Sequence, residues 1–582
     1  MRGHSPLVSI VIPVFNGANY MRQAIDSALS QTYPAKEVIV VNDGSNDNGE
    51  TASIAKSYGH KIIYLEKDNG GCASALNLAI ANMHGEYFSW LSHDDVYLPE
   101  KISHQINVIS NLSNKNTILY GGWEVIDSNS KLISTVRPKH VQPIEKLNIP
   151  LFPLFRGLLH GCSMLIPSRC FREIGTFDEG LPSTQDYDLW FKLLRKVPIY
   201  YDDKILIRSR VHPEQGTHKI TKHIEECNSL WSGMIRDLTQ AEMCQMDDTP
   251  YRFLTRTYQF LSNTPYKQAT ALAKTMAEKS IENTLVSVVI PFRNRIDLTC
   301  EAINSVLEQT HKNLEIILID DGSTDSLEPL SKFKNDSKVR LISITSSGAA
   351  HARNVGLSIA NGIYVAFLDS DDLFLPNKIS EQLRFLEKNE FDIGHTSYVR
   401  IDERGDMLDV VHSATFHGCV FPGIIVTCPI ATPTFMGLTA IVKKVKFPEQ
   451  FDFGEDLCAW IALTRTNLLG GLNIPLTKVR VTKESASRDH IKQLKGRINV
   501  ASYILNDSEL SKYGKELRKL LQRTRWLVPN INGEKPTISK VGRMHKGDSL
   551  ILKAVRFIHK NGFRAALRRI GLLSDKAYKT PV

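Results

Sequence analysis

The chain has 582 residues, 42% of them hydrophobic and 23% charged, with 71 Lys and Arg against 62 Asp and Glu. These proportions exclude a collagen-like chain, a disordered chain and a small disulfide scaffold, and at roughly 150 residues per domain they predict three or four domains. Of the +9 net charge, +15 falls on residues 488–582 (22 Lys and Arg, 7 Asp and Glu), which leaves −6 for the rest and implies no globally basic nucleic-acid surface.

In chain order, residues 8–14 form a continuous apolar run, the pattern of a strand buried on both faces of a parallel sheet. A helical pattern follows over 20–30, then a strand over 37–41 and a turn at Asp43-Gly44-Ser45 before another helix. A further helix over 73–82 leads to a strand over 87–91. This β-α-β-α order predicts an α/β fold: an open, mostly parallel sheet with helices on both faces. Residues 221–283, rich in Glu, Lys, Ala, Leu and Met, read as a helical linker. No run approaches the ~18 apolar residues of a membrane span, and the opening residues lack the apolar stretch of a signal peptide. The nine cysteines are scattered without any C-x-x-C pair, which predicts reduced thiols and a cytoplasmic protein.

The second half repeats the first. Val8-Ser9-Ile10-Val11-Ile12-Pro13-Val14-Phe15-Asn16 returns as Val286-Ser287-Val288-Val289-Ile290-Pro291-Phe292-Arg293-Asn294, at an offset of 278 residues. Residues 24–32 return as 302–310 at the same offset, and 98–103 return as 375–380 at 277. A register held over many segments is a duplicated domain, and its period is too long for a solenoid. The predicted domains are 1–220 and 284–490, joined by the linker 221–283 and followed by a basic, helical C-terminal region over 491–582.

Ligands bind open parallel sheets beyond the carboxyl ends of the strands, and the acidic residues fall there. Asp43 ends one strand of the first copy, and Ser92-His93-Asp94-Asp95 follows another. The second copy has Asp320-Asp321 and Asp369-Ser370-Asp371-Asp372. Clustered Asp on a short loop suits a hard divalent cation shared with substrate phosphates. A single Asp-Gly is often only a turn, but the same order of acid, turn and acid loop in both copies favours a site.

The series V-S-I-V-I-P-x-x-N, V-N-D-G-S, N-G-G-x-x-x-A-L-N and S-H-D-D resembles the family-2 glycosyltransferases of GT-A fold, and in particular tandem, two-domain bacterial enzymes that synthesise polysaccharide and other glycans. The second copy is similar through Ile319-Asp320-Asp321-Gly322-Ser323, Gly348 to Ala352-Arg353-Asn354, and Asp369-Ser370-Asp371. The resemblance covers roughly 5–215 and 284–490. It implies nucleotide-sugar binding by Pro13, Asn16, Asp43 and Asp94 in the first copy, and by Pro291, Asn294, Asp321, Arg353, Asp369 and Asp371 in the second. It implies a divalent metal, Mn2+ or Mg2+, held by Asp94 and His212 and by Asp369 and Asp371. Ser92 stands where Asp369 supplies the first acid of D-x-D, whereas the second copy has Thr482 where the first has His212. His93 is open between a ligand and a loop residue, and Arg353 between a phosphate partner and a structural ion pair. Asn69-Gly70-Gly71 reads either as a phosphate cradle or as a plain turn.

Inverting sugar transfer needs a base for the acceptor hydroxyl. The family keeps this carboxylate in an E-D or similar pair opening a helix. Gln185-Asp186 and Glu455-Asp456 match, each Asp followed four residues later by Trp, so Asp186 and Asp456 are the candidate catalytic bases. Residues 551–573 carry apolar positions at three and four spacing between Lys and Arg. They read equally as a helix on the inner membrane surface or as one packed on the protein.

The function expected is bifunctional inverting transfer of sugars from nucleotide-sugar donors, UDP-sugars foremost. The acceptor is a growing surface glycan or a lipid-linked one, at the cytoplasmic face of the membrane and without nucleic acid as partner. The alternative is one active glycosyltransferase domain with the other as a non-catalytic acceptor-binding module. A nucleotidyltransferase would carry a G-x-G-x-R loop after the first strand, where this chain has Val14-Phe15-Asn16-Gly17. A non-enzymatic glycan-binding protein would not need two sets of metal-type acids.

Overall fold

A computed structural model describes residues 5–213, 222–413, 415–482 and 489–522. They divide into two compact units with the boundary between Glu278 and Lys279. The basic segment 551–573 lies outside the described residues. Among the described residues, no helix is long and apolar enough to cross a membrane.

In the first unit the strand Val8–Val14 is the centre of a five-stranded sheet. It pairs in parallel with Lys36–Asp43 on one side and Tyr87–Trp90 on the other. Ile63–Lys67 extends the parallel run, and Ile166–Pro167 closes the far edge antiparallel. All seven residues of the central strand are buried, because both faces are covered. Ile10 and Ile12 pack with helices Met21–Leu29 and Lys101–Asn111, whereas Val11 packs with helix Gly71–Asn82 on the opposite face. That is the period of two expected of a strand buried between helical layers. A smaller sheet of Val96–Tyr97, Ile207–Arg210, Trp123–Ile126 and Leu132–Val136 stands beside the acid loop.

The second unit repeats this core in a nine-stranded sheet. Val339–Ile344, Leu314–Asp321, Val286–Phe292 and Tyr364–Phe367 are its parallel part. The strand Leu469–Arg480 runs through, where the first unit has the two short strands Ile199–Asp202 and Ile207–Arg210.

Of the span read as a linker, residues 222–278 are mostly helical and built into the first unit. Trp231, Met234, Met246, Phe253 and Leu261 share one core with Leu76, Leu189 and Trp190. Thr239 and Glu242 form a capping box at one helix start. The buried Asp247 carboxylate takes Arg156, Lys146 (3.3 Å) and Arg256 (2.5 Å). Three cations around one buried acid satisfy a charge that would otherwise be costly. In the second unit, helices His490–Asn506 and Gly514–Gln522 play the same part, placing Val500, Ile504, Leu517 and Leu520 in the core with Trp460. The first 30 or so residues of the expected C-terminal region are therefore core helices of this unit.

Candidate active site

The acid loop is held from behind by an arginine in each unit. Arg210 is fully buried; its backbone N–H donates to Asp95 Oδ1 (2.8 Å), its Nε to the Asp94 carbonyl (2.9 Å) and its Nη2 to Gln23 Oε1 (2.8 Å). Arg480 repeats this on Asp372 Oδ1 (2.7 Å), the Asp371 carbonyl (3.0 Å) and Glu301 Oε2 (2.9 Å). Asp95 and Asp372 each give one carboxylate oxygen to the scaffold, which leaves Asp94 and Asp371 as the acids presented beyond the strand ends. The sequence reading passed over both arginines. The only signal was the Arg-Val-x triplet, whose third residue lies 26 residues beyond Asp186 and Asp456.

Asp94 Oδ2 lies 3.1 Å from His212 Nε2, so the two expected metal residues of the first unit do meet. In the second, Asp371 faces Arg295 (3.1 Å). Burial, and then the charge of Asp369, raise the Asp371 pKa. A buried carboxylate raised by a neighbouring acid fits a site completed by a cation. His93 packs against Gly17, where a Cβ would fall 2.7 Å from its ring. Burial lowers its pKa against the opposing pull of Asp94.

The acids ending the second strand clamp the next loop. Asp43 accepts from the Gly70 and Gly71 N–H groups (3.0 and 2.8 Å) and from Lys67 (2.9 Å). Asp321 accepts from Ser347 and Gly348 N–H (2.6 and 3.0 Å), with Ile344 at the position of Lys67. Asn16 and Asn294 tie the first-strand loop to the second-strand loop: the Asn16 N–H donates to Ser45 Oγ (2.9 Å) and the Asn294 N–H to Ser323 Oγ (2.7 Å). Both asparagines have positive φ (50° and 57°), a conformation this residue tolerates. Pro13 and Pro291 sit buried near the ends of the central strands, in register with Val41 and Ile319.

Asp186 and Asp456 occupy the first turns of helices Gln185–Leu194 and Glu455–Thr464. Neither is the cap; that position is Thr184 in one helix and Gly454 in the other. Trp190 and Trp460 anchor these helices in the two cores. Glu226, from the span read as a linker, accepts from Ser183 N–H, Thr184 N–H and Thr184 Oγ1 (2.9, 2.8 and 2.7 Å), which fixes the helix start. In the second unit Gly454, at φ 82°, lies so close to Gly496 that a Cβ would sit 2.7 Å from its carbonyl. Only glycine fits there. Burial pushes the Asp186 pKa up to about 6 and raises that of Asp456. Asp186, Asp43 and Asp94 converge on Cys72, whose thiol burial and then these charges push up to about 12. The sequence reading missed Cys72.

Arg353 makes the ion pair, not a free anion site. Its Nη1 donates to Glu455 Oε1 and its Nη2 to Asp369 Oδ1, both at 2.8 Å. Burial disfavours its charge, but Asp369 and Glu455 more than offset this and raise the pKa. Glu455, buried beside Asp456, is pushed up to about 7 against the pull of Arg353. The matching bonds of Asn77 to Phe177 and of Asn354 to Phe447 set the register of this helix between units. In that register Arg353, Asp369 and Glu455 correspond to Leu76, Ser92 and Gln185. The Ser92 departure is therefore one of three joint replacements: a cation and two acids exchanged for three neutral side chains.

Comparison with known proteins bears on the family of the chain. The profile described as glycosyl transferase family 2 matches residues 9–172 and 287–444, more than half the chain. An uncharacterized glycosyltransferase of Rickettsia felis is 52% identical, over 97% of this chain and 97% of that one. An Escherichia coli protein named UDP-Glc:alpha-D-GlcNAc-diphosphoundecaprenol beta-1,3-glucosyltransferase WfaP is 32% identical over 38% of this chain and 86% of its own length. Among solved structures, the crystal structure of S. aureus TarS 1-349 is 22% identical, covers 50% of this chain and 83% of that chain, and has a TM-score of 0.37.

Proposed function

The chain belongs to glycosyl transferase family 2, and from that premise we propose that it is a bifunctional inverting enzyme with one complete transfer site in each unit. The observation that carries this reading is the pair Asp186 and Asp456. In each unit one carboxylate with a raised pKa opens a helix locked into the core, within electrostatic reach of the strand-end acids. Each would take the proton of the acceptor hydroxyl as that oxygen bonds to the anomeric carbon and the bond to the diphosphate breaks. For Asp186 a pKa near 6 is matched to that task, because the base is ionised at neutral pH yet able to hold the proton. A divalent cation, when bound by Asp94 and His212 or by Asp369 and Asp371, supplies positive charge to the departing diphosphate. Pro13, Asn16 and Asp43, with Pro291, Asn294 and Asp321, shape the loops that would hold the nucleotide.

The donor we infer is a UDP-sugar, in keeping with the name of the E. coli relative, which also names a lipid-linked diphosphate acceptor. A lipid-linked or growing surface glycan at the cytoplasmic face of the membrane fits a chain that ends in a strongly basic region. Two sites on one chain raise the local concentration of the first product for the second transfer. The test is a donor screen over UDP-, GDP- and dTDP-sugars with Asp186→Asn and Asp456→Asn. Each variant is expected to lose a different transfer. Loss of one and the same transfer in both would leave the second reading, prompted by Ser92, in which one unit only binds the acceptor.

A further inference from the structure

The loop behind the first acid cluster carries donors that the second unit lacks. In the register set by Ser163 Oγ donating to the His160 carbonyl and Thr434 Oγ1 to the Ala431 carbonyl, His160 and Cys162 correspond to Ala431 and Pro433. A ring nitrogen of His160, the Cys162 sulfur and a carboxylate oxygen of Asp95 lie within 4.8 Å of one another. We propose that Asp95, His160 and Cys162 form a metal site for a thiolate-binding divalent cation of the zinc class, found in the first unit only and distinct from the Asp94–His212 pair.

Four features support it. The Nδ1 of His160 is buried and has no hydrogen-bond partner. Its Nε2 meets Ser209 Oγ at 3.0 Å, the outer hydrogen bond that fixes the ring of a metal-bound histidine. Asp95 gives Oδ1 to the Arg210 N–H, and the Cys162 thiol and the Ser209 hydroxyl also lie against its carboxylate, so a cation there would displace the thiol proton between them. The Ser92 N–H lies 3.3 Å from the Cys162 sulfur and would stabilise a thiolate there. A sulfur and an imidazole select zinc-class ions over Mg2+ and Mn2+, which prefer oxygen. The same turn stands in the second unit with Ala431 and Pro433, so a loop of this shape forms without a His and a Cys at these places. Binding releases the thiol proton, because the sulfur coordinates as the thiolate.

The experiment is a Co2+ titration of the metal-stripped full chain, read as the near-ultraviolet sulfur-to-cobalt charge-transfer band and displaced by Zn2+. One equivalent per chain is expected to give the band. Cys162→Ser is expected to abolish it, and His160→Ala, the residue the second unit carries, to weaken Zn2+ binding by more than about 100-fold. Absence of a thiolate band in the wild-type chain would overturn the site, as would a band that survives Cys162→Ser. If Cys162→Ser does not fold, His160→Ala decides alone. Unchanged Zn2+ affinity in that variant refutes the proposal. The readout is spectroscopic and stands apart from sugar transfer, so its failure is distinguishable from failure of the proposed function.

Discussion

Arg353→Leu puts into the second unit the residue that the first unit carries at the same place. The wild-type guanidinium is 7% exposed and bridges Glu455, 12% exposed, and Asp369, 33% exposed, at 2.8 Å each. Removing one partner of a buried pair costs about 3–5 kcal/mol because the remaining charge is stranded. Asp369 can recover solvation and Glu455, already pushed up to about 7, can take up a proton, so at most the lower end, about 3 kcal/mol, applies. For a unit of this size that is a fall of roughly 6–12 °C in the unfolding temperature of the second unit. The triple variant Arg353→Leu, Asp369→Ser, Glu455→Gln removes cation and acids together. It is expected to unfold within about 1 kcal/mol of wild type, since replacing a whole buried ionic cluster by neutral groups is close to neutral. Scanning calorimetry of the wild type, the single and the triple forms tests this. A single variant as stable as wild type, or a triple variant no more stable than the single, would refute the reasoning that the trio is exchanged as a unit.

Two further outcomes follow from the same geometry. The Asp186 carboxyl titrates near 6 in the folded chain against 3.8 ordinarily, so stability is lost as pH rises through that window and is not regained above it. Asp186→Asn, which keeps an oxygen for the Tyr187 N–H, should abolish first-unit transfer yet stabilise that unit at neutral pH by about 1–3 kcal/mol, measured by thermal unfolding. In the wild type, first-unit transfer should fall about tenfold per pH unit below pH 6; a flat profile would remove Asp186 from the base role. His212→Ala should weaken Mn2+ binding by the first unit, measured by electron paramagnetic resonance of free Mn2+, and leave second-unit transfer at the wild-type level. Equal metal affinity in wild type and variant would assign His212 to the scaffold.

The sheet was legible because its cause is local. The run 8–14 and its repeat at 286–292 have no polar face, which only a strand covered on both sides tolerates. Asp186 and Asp456 were legible because an acid at a helix start with Trp four residues on recurred in register. What the sequence did not disclose depends on contacts between distant segments. Glu226 lies 42 residues from the Thr184 it holds, so a span rich in Glu, Lys, Ala, Leu and Met reads as a helical linker when its apolar stripe is core. Arg353 meets Glu455 across 102 residues. Without that contact Ser92 reads as the loss of a metal acid, whereas the structure shows a neutral counterpart of a matched set. Cys162 and His160 carry no spacing motif, and only the loop that brings them to Asp95 makes them a group.

Comparing the units separates what the chemistry needs from what it can vary. The arginine clamp on the acid loop, the presented Asp94 and Asp371, the Gly-loop acids Asp43 and Asp321, and the bases Asp186 and Asp456 are the same in both. Under the proposed function these groups would bear on the diphosphate, the nucleotide and the acceptor proton, which any such transfer shares. The residues exchanged together lie between them: Leu76, Ser92 and Gln185 against Arg353, Asp369 and Glu455, and Cys72 against Ala349. A buried ion network cannot lose its members one at a time without stranding charge, so the difference was acquired or removed as a block. Drift in a dead copy would strike the clamp and the base as readily as the trio, yet both survive in the first unit. The block therefore marks a local difference between the two candidate sites, in keeping with the proposal that each unit carries out its own transfer.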